Sequence, residues 1–216
     1  MASTAALAIL LGLLATPAHD SAVLRAFAVD EGVIGDAALG LARHAFDTYC
    51  LTRRRITVPA DLPPVFSLRS GVFVSAMVNG APRCCMGSLY PTRPSLAEEI
   101  IAAASAAAGI DYRFRPIRPE ELAKLRLIVS VVGEPQAIAE VSRIDPVSDG
   151  IVARLGDHLG VTLPGETVHL DRAIRWARIR AGVKDGTQVE YFLLPAVRVM
   201  EPATQAASSQ VRGASE

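Results

Sequence analysis

The sequence predicts an α+β fold, with a mostly antiparallel sheet flanked by helices in one domain, with or without a smaller second lobe. Three observations support this prediction. An apolar, β-branched run at residues 71–78 leads into Asn79-Gly80, a favoured hairpin turn. Two more strand-like segments, 150–155 and 158–163, are joined by the tight-turn dipeptide Gly156-Asp157. Capped segments with apolar residues at helical spacing lie around these strands.

The first predicted helix spans residues 36–51, because apolar residues recur there on one helical face: Leu39, Ala42, Phe46 and Cys50. On this interpretation Cys50 is a core thiol. The three arginines at 53–55 suit the negative end of the helix dipole. Pro59 and Pro63-Pro64 cannot continue a helix and indicate a surface connection.

A β-hairpin follows, with strands at 71–78 and 84–90 on either side of Asn79-Gly80. The next helix begins at Ser95, which has capping-box spacing to Glu98, and ends near Gly109. The cap explains the acidic residues of its first turn better than acid–base chemistry does.

The rest of the chain predicts four more strands and one more helix. A short helical turn at 120–124 introduces a strand at 125–132, and the pair at 150–155 and 158–163 follows. A helix is predicted where apolar residues share one face (Leu170, Ala173, Ile174, Ala177 and Ala181), and Gly182 ends it. Pro195 interrupts a final long strand at 188–200, which favours a break or an edge position.

Composition excludes some classes of function. Basic and acidic residues balance at 22 each, so no net positive field attracts nucleic acid. Half of the 216 residues are apolar, which is enough to bury a sizeable core. We therefore expect a globular protein that does not bind nucleic acid.

The three cysteines do not suggest a disulfide framework, because their number is odd and a bridge between the adjacent Cys84 and Cys85 would be strained. A reducing, cytoplasmic location is the simpler interpretation. The alternative is export, because residues 5–15 form an uncharged apolar run that ends near a plausible cleavage site at residues 16–18. That run is too short to be a transmembrane helix. It would otherwise be an apolar helix docked on the fold.

Several motifs together indicate a family. The segment Arg83-Cys84-Cys85-Met86-Gly87 follows a Gly-Val-Phe-Val strand, and Asp111-Tyr112-Arg113-Phe114-Arg115-Pro116 comes after the alanine-rich helix. Further matching segments occur in order at 120–122, 128–132, 145–146, 150–151 and 163–164. The chain in this respect resembles the AMMECR domain family, whose hallmark is an Arg-Gly-Cys-Ile-Gly segment after such a strand.

The resemblance covers residues 34–200. It divides the chain into an N-terminal extension at 1–33, the family-like domain at 34–200, and a tail at 201–216 that we expect to be disordered. The family has no agreed activity. Its bacterial and archaeal members are linked to Memo-type and radical-SAM proteins in the set called AmmeMemoRadiSam, so the resemblance implies a component of such a pathway.

The chain also departs from the family pattern. Cys84 stands where the family has Gly, so Cys85 matches the family cysteine. Asp149 stands where the family usually has His, and Gly165 where it usually has Gln or Glu. A family site that used all of these groups would be altered here.

Two functional hypotheses follow. In the first, Cys85 is a nucleophile or redox thiol, Arg83 and Arg113 hold a small anionic ligand, and Asp111 orients Arg113. Strand alternation places Arg83 on the same side as Cys85. In the second, the hairpin and Asp111 are structural, and the protein is a non-catalytic binding or scaffold module for a partner such as a Memo-type or radical-SAM protein.

Trp176, which lies among arginines and off the core face of its helix, would belong to a partner surface in the second hypothesis. Metal binding is not predicted, because the cysteines lack Cys-x-x-Cys spacing and the histidines form no close pair. Ligation by Cys84, Cys85 and one distant His is the remaining alternative. No cofactor is predicted.

Overall fold

The structure is a computed structural model that describes residues 21–184 and 186–202. The predicted signal-like run at 5–15 lies outside these residues, and so does all of the predicted tail except its first two residues. The helices are α1 (Ala22–Val29), α2 (Glu31–Thr52), α3 (Leu96–Gly109) and α4 (Leu170–Arg180). The strands are β1 (Gly71–Val78), β2 (Ala81–Ser88), β3 (Arg126–Val132), β4 (Gln136–Ala137), β5 (Gly150–Leu155), β6 (His158–Thr162), β7 (Glu190–Leu194) and β8 (Ala196–Met200).

The strands form two antiparallel four-stranded sheets, which confirms the predicted α+β class. The first sheet has the order β2-β1-β3-β8, and the second has the order β4-β7-β5-β6. Helices α1, α2 and α3 pack on one face of the first sheet and bury the largest core. Helix α4 packs on β5 and β6, so the second sheet and α4 form the smaller lobe.

Local sequence signals account for most element boundaries. Asn79 and Gly80 have positive φ angles of 50° and 78°, the combination that a two-residue type I′ hairpin turn requires. Ser95 caps α3 by accepting a 3.2 Å hydrogen bond from the Glu98 N–H. Helix α2 begins at Glu31 rather than at residue 36, because Asp30 caps it by accepting from the Val33 N–H. Helix α1 lies within the predicted extension and buries Phe27 completely.

The chain passes between the two sheets at two adjacent points. Strand β3 of the first sheet continues through Gly133 into β4 of the second, and β7 returns through Pro195 into β8 of the first. Pro195 has no N–H to donate to a ladder, so the predicted long strand breaks there. The Gly133 N–H donates to the Pro195 carbonyl over 2.8 Å and joins the two crossings.

Within residues 21–184 and 186–202, no helix is both long enough and apolar enough to cross a membrane.

The contact between β6 and α4 depends on Gly160. A Cβ at this position would stand 1.9 Å from the Ala177 carbonyl oxygen and 2.3 Å from the Ala181 nitrogen, both of which are backbone atoms. We expect Gly160→Ala to push α4 off the sheet and to lower the free energy of unfolding by about 1–3 kcal/mol, measured by urea denaturation.

Gly40→Ala in α2 is the matched control, because nothing lies within 4 Å of its added Cβ. That substitution should stabilise the protein by roughly 0.5–1 kcal/mol, since alanine favours the helix. An unchanged urea midpoint for Gly160→Ala would show that α4 does not rest on this glycine.

Candidate functional site

The first sheet has one face on the helices and one face toward the second lobe. Val72, Val74 and Ala76 of β1 are fully buried under the helices, whereas Phe73, Ser75 and Met77 alternate with them and line a cavity. The cavity has a volume of about 500 Å³ and is partly open to solvent.

The cavity is formed between the two lobes. Its floor is the first sheet, with side chains from all four strands: Phe73, Ser75, Cys85, Ile128, Ser130 and Arg198. Its opposite wall comes from β6 and α4: Leu159, Val161, Trp176 and Arg180. The loop Pro164-Gly165-Glu166 closes one end, and Tyr112 and Arg113 stand at the rim beside β2. Trp176 therefore lines the cavity, and Ile179 of the same helix is 64% exposed.

The two adjacent cysteines face opposite sides of the sheet. Cys84 lies opposite Ala76 and is 1% exposed in the helix-covered core, where burial raises the pKa of its thiol to about 12. Cys85 lies opposite Ser75 and faces the cavity. Burial raises the pKa of the Cys85 thiol too, although a hydrogen bond with Ser75 and the charge of Arg113 oppose the rise. Both thiols are therefore protonated at neutral pH.

Asp111 and Arg113 form a clamp on the backbone of Cys85. Asp111 Oδ2 accepts from the Cys85 N–H at 2.8 Å, and Arg113 Nη2 donates to the Cys85 carbonyl oxygen. The Arg113 guanidinium also donates to both carboxylate oxygens of Asp111 at 2.9 and 2.8 Å. Because β2 is an edge strand, these side chains satisfy the two polar groups of Cys85 that point away from β1. The Asp111-Tyr112-Arg113 segment thus fastens the rim of the cavity to the sheet.

Arg83 does not line this cavity, in contrast to the expectation from strand alternation. In the register, Ala76 is paired with Cys84 and Met77 with Pro82, so Arg83 is the extra residue of a β-bulge. The bulge turns its guanidinium toward Glu121, whose carboxylate accepts from it at 2.8 and 3.1 Å. Arg83 and Glu121 line a separate groove of about 220 Å³. The structure thus brings Cys85, Asp111 and Arg113 together and leaves Arg83 outside.

Sequence reasoning missed Arg198 and Glu166. The Arg198 guanidinium lies half-buried in the cavity floor and makes no hydrogen bond or ion pair with any other described residue. Burial lowers its pKa, the charge of Glu166 raises it, and Arg126 lowers it further. The one available signal was a charged residue between Val197 and Val199 in an otherwise apolar strand.

Glu166 and Arg180 form an ion pair at the end of the cavity. The Arg180 guanidinium lies 2.6 Å from Glu166 Oε2 and donates to the Val161 carbonyl, also at 2.6 Å. Glu166 Oε1 accepts from the Leu163 N–H at 3.1 Å. Gly165, beside Glu166, has a φ of 67°, and a Cβ there would stand 3.1 Å from Nη1 of Arg198. The glycine thus leaves space next to that guanidinium.

In the part of the chain that the structure describes, no three His, Cys, Asp or Glu side chains lie close enough together to hold a metal ion. Glu99 is buried, and its carboxylate accepts from the Ser88 hydroxyl at 2.6 Å and from the Thr92 and Arg93 N–H groups at 2.7 Å. It therefore organises the connection between β2 and α3 and does not face the cavity.

Comparison with known proteins gives a consistent family match. The AMMECR1 family model matches residues 39–197. A protein from Thermotoga maritima is 34% identical over 134 residues, which cover 60% of this chain and 74% of the relative. A protein from Methanothermobacter thermautotrophicus is 36% identical over 136 residues, covering 60% and 70%. The crystal structure of the uncharacterized protein PH0010 from Pyrococcus horikoshii superposes with a TM-score of 0.70 at 28% identity, covering 76% of this chain and 90% of that one.

The Asp111 clamp predicts a pH-dependent contribution to stability. Burial raises the pKa of Asp111, but hydrogen bonds from Arg113 and the Cys85 N–H outweigh it and hold the pKa below its usual value. A depressed folded-state pKa gives stability above the unfolded pKa of about 3.9, and this stability is lost as the pH falls through the folded pKa. Asp111→Asn should therefore cost about 1–3 kcal/mol at neutral pH and progressively less in acid, measured by urea denaturation.

Asp61→Asn is a suitable control, because Asp61 is exposed and has no hydrogen bond or ion pair within the described residues. This substitution should leave the free energy of unfolding unchanged at neutral and at acidic pH. A deficit of Asp111→Asn that grew on acidification would contradict the assigned role of the carboxylate.

The cysteine environments predict slow and selective alkylation. Because burial raises the pKa of both thiols, iodoacetamide should modify Cys85 more slowly than a free thiol near neutral pH, and faster above about pH 9. Cys84 should react only after unfolding. Fragment-ion mass spectrometry distinguishes the two positions, and Cys85→Ser removes the first reaction. Modification of Cys85 faster than free glutathione at neutral pH would indicate a thiolate.

Proposed function

The chain belongs to the AMMECR1 family, and on that premise we propose that it binds a small organic ligand through an anionic group in the cavity between its two lobes. The observation that carries this proposal is Arg198. A cationic side chain lies in the floor of the cavity, and no described residue offers it an acceptor.

The energetics of Arg198 favour an anionic ligand. Moving a charge out of water is costly unless a counter-charge or hydrogen bonds compensate it. Although burial lowers its pKa, the guanidinium stays protonated, because arginine side chains are not deprotonated in proteins. It also offers a planar set of five donors, which suits a carboxylate or phosphate oxygen pair. An anionic ligand would supply the acceptors that residues 21–184 and 186–202 do not.

The size and lining of the cavity support a small molecule. A volume of about 500 Å³ falls in the range of about 300–1,000 Å³ that is usual for small-molecule sites. Phe73, Ile128, Leu163 and Trp176 provide an apolar lining. Binding has more support than catalysis by Cys85, because burial raises the pKa of that thiol and disfavours the nucleophilic thiolate.

From the family resemblance we further propose that the protein acts in an AmmeMemoRadiSam-type pathway beside a Memo-type or radical-SAM protein. The alternative function is a non-catalytic binding or scaffold module for such a partner. Its specific support is two exposed apolar side chains near opposite ends of α4, Ile179 at 64% and Val168 at 69% exposure. Trp176, which that alternative would have used, lies instead in the cavity wall.

The proposal predicts that Arg198→Met separates binding from stability. Fluorescence titration with anilinonaphthalene sulfonate, an aromatic monoanion, should show binding to the wild type. The variant should bind at least about tenfold more weakly, because a charge-assisted hydrogen bond contributes about 1.5–3 kcal/mol. Its urea midpoint should be unchanged or raised, since the substitution removes a half-buried charge that pairs with no other described residue.

Arg143→Met is the matched control, because the Arg143 side chain is 83% exposed and its one ion pair within the described residues is with Glu140. It should bind the probe as the wild type does. Near-ultraviolet circular dichroism of all three proteins establishes that the probe reports on folded protein. Equal affinity of the wild type and Arg198→Met would remove the basis of the proposal.

A further inference from the structure

We infer that Glu166 sets the charge that the cavity accepts, so that the ligand is an organic monoanion with an apolar body. This inference rests on the proposed function and specifies its ligand. It follows from the way in which the charged side chains around the cavity are paired.

Among the described residues that line the cavity, one cationic side chain, Arg198, forms no hydrogen bond or ion pair with another described residue. Three arginines and one glutamate line the cavity: Arg113, Arg180, Arg198 and Glu166. Asp111 neutralises Arg113 through a two-oxygen hydrogen-bonded pair, and Glu166 neutralises Arg180 at 2.6 Å. Arg126, whose charge also acts on Arg198, donates to the backbone carbonyl of Glu201 and does not line the cavity. A ligand with one negative charge would balance Arg198.

Glu166 is held where it would oppose a second negative charge. Its Oε1 atom accepts from the Leu163 N–H and its Oε2 atom pairs with Arg180, so both oxygens are fixed at the end of the cavity. Its negative charge acts on two side chains of the cavity floor, Arg198 and Cys85. A dianionic group at Arg198 would therefore face a fixed carboxylate, which raises the free energy of the bound state.

The remaining lining is apolar and suits the body of such a ligand. Phe73, Ile128 and Leu163 cover one side, and Trp176 presents an aromatic ring, with the Arg180 guanidinium 5.8 Å from its centre. Cys85 contributes a neutral thiol, because burial raises its pKa. A ligand with a carboxylate on a flat apolar body fits this lining. Its carboxylate would pair with Arg198, the one lining cation that has no partner among the described residues, and its body would contact the apolar side chains.

Displacement of bound anilinonaphthalene sulfonate tests this inference. The competitors are naphthoate, a monoanion; naphthyl phosphate, a dianion above its second pKa of about 6; neutral naphthamide; and inorganic phosphate. With the wild type at pH about 8, naphthoate should displace the probe at concentrations at least about tenfold lower than naphthyl phosphate. Naphthamide and inorganic phosphate should be weak competitors, because each lacks either the charge or the apolar body.

Glu166→Gln should shift this preference by at least about tenfold toward naphthyl phosphate, because it removes one negative charge beside the site. The glutamine carbonyl can still accept from the Leu163 N–H, so the loop keeps its hydrogen bond. Glu166→Asp, which keeps the charge, should retain the preference for naphthoate. Glu140→Gln, at an exposed pair with Arg143, should not alter it.

The outcomes separate the two proposals. If both naphthalene anions bind and Glu166→Gln leaves their affinity ratio unchanged, Glu166 does not set the charge and this inference is overturned, while the anion site stands. If naphthamide competes as well as naphthoate, or no anion displaces the probe, the proposed function itself fails. A wild-type preference for naphthyl phosphate would also overturn the monoanion assignment.

Discussion

The cavity exists because two strands leave one sheet for the other at the same place. Strands β3 and β8 pair in the first sheet, and their continuations β4 and β7 pair in the second, so one antiparallel ribbon runs through both sheets. It bends where Gly133 meets Pro195, and the hydrogen bond between them holds the bend. One face of the first sheet is thereby turned toward β6 and α4 at a distance that leaves room for a small molecule. The position of Trp176 and Glu166 over Arg198 follows from this single bend.

Much of this architecture could be predicted from local patterns. The Asn79-Gly80 turn, the Ser95 cap and the break at Pro195 each depend on the intrinsic conformational preference of one or two residues, and such preferences act without knowledge of the rest of the chain. The start of α2 was less predictable, since Gly32 and Gly35 weaken the helical pattern while the Asp30 cap extends it. The division into two sheets was not predicted, because pairing between distant strands leaves no local signal.

The candidate site was even harder to predict from the sequence, because it depends on contacts between distant parts of the chain. Cys85, Asp111 and Arg113 were identified through a family motif, and the structure brings them together, but it shows the acidic and basic residues holding the strand backbone. Strand alternation predicted that Arg83 faces the same side of the sheet as Cys85. It does not, because the bulge adds one residue to β2 and so reverses which side the residues beyond it face. Arg198 and Glu166 are 32 positions apart and meet only through the bend, so no spacing rule joins them. An unpartnered charge can be recognised only when its surroundings are known.

The clamp on Cys85 has a consequence for the protein in a crowded cell. Strand β2 ends the first sheet, and the free backbone groups of an edge strand can pair with a strand of another molecule. At Cys85 those groups are already occupied by Asp111 and Arg113, whose bulk also stands where an incoming chain would lie. The two side chains thus block the pairing of Cys85 with a strand of another molecule. At this position of the sheet edge, the segment that builds the rim of the cavity also opposes self-association.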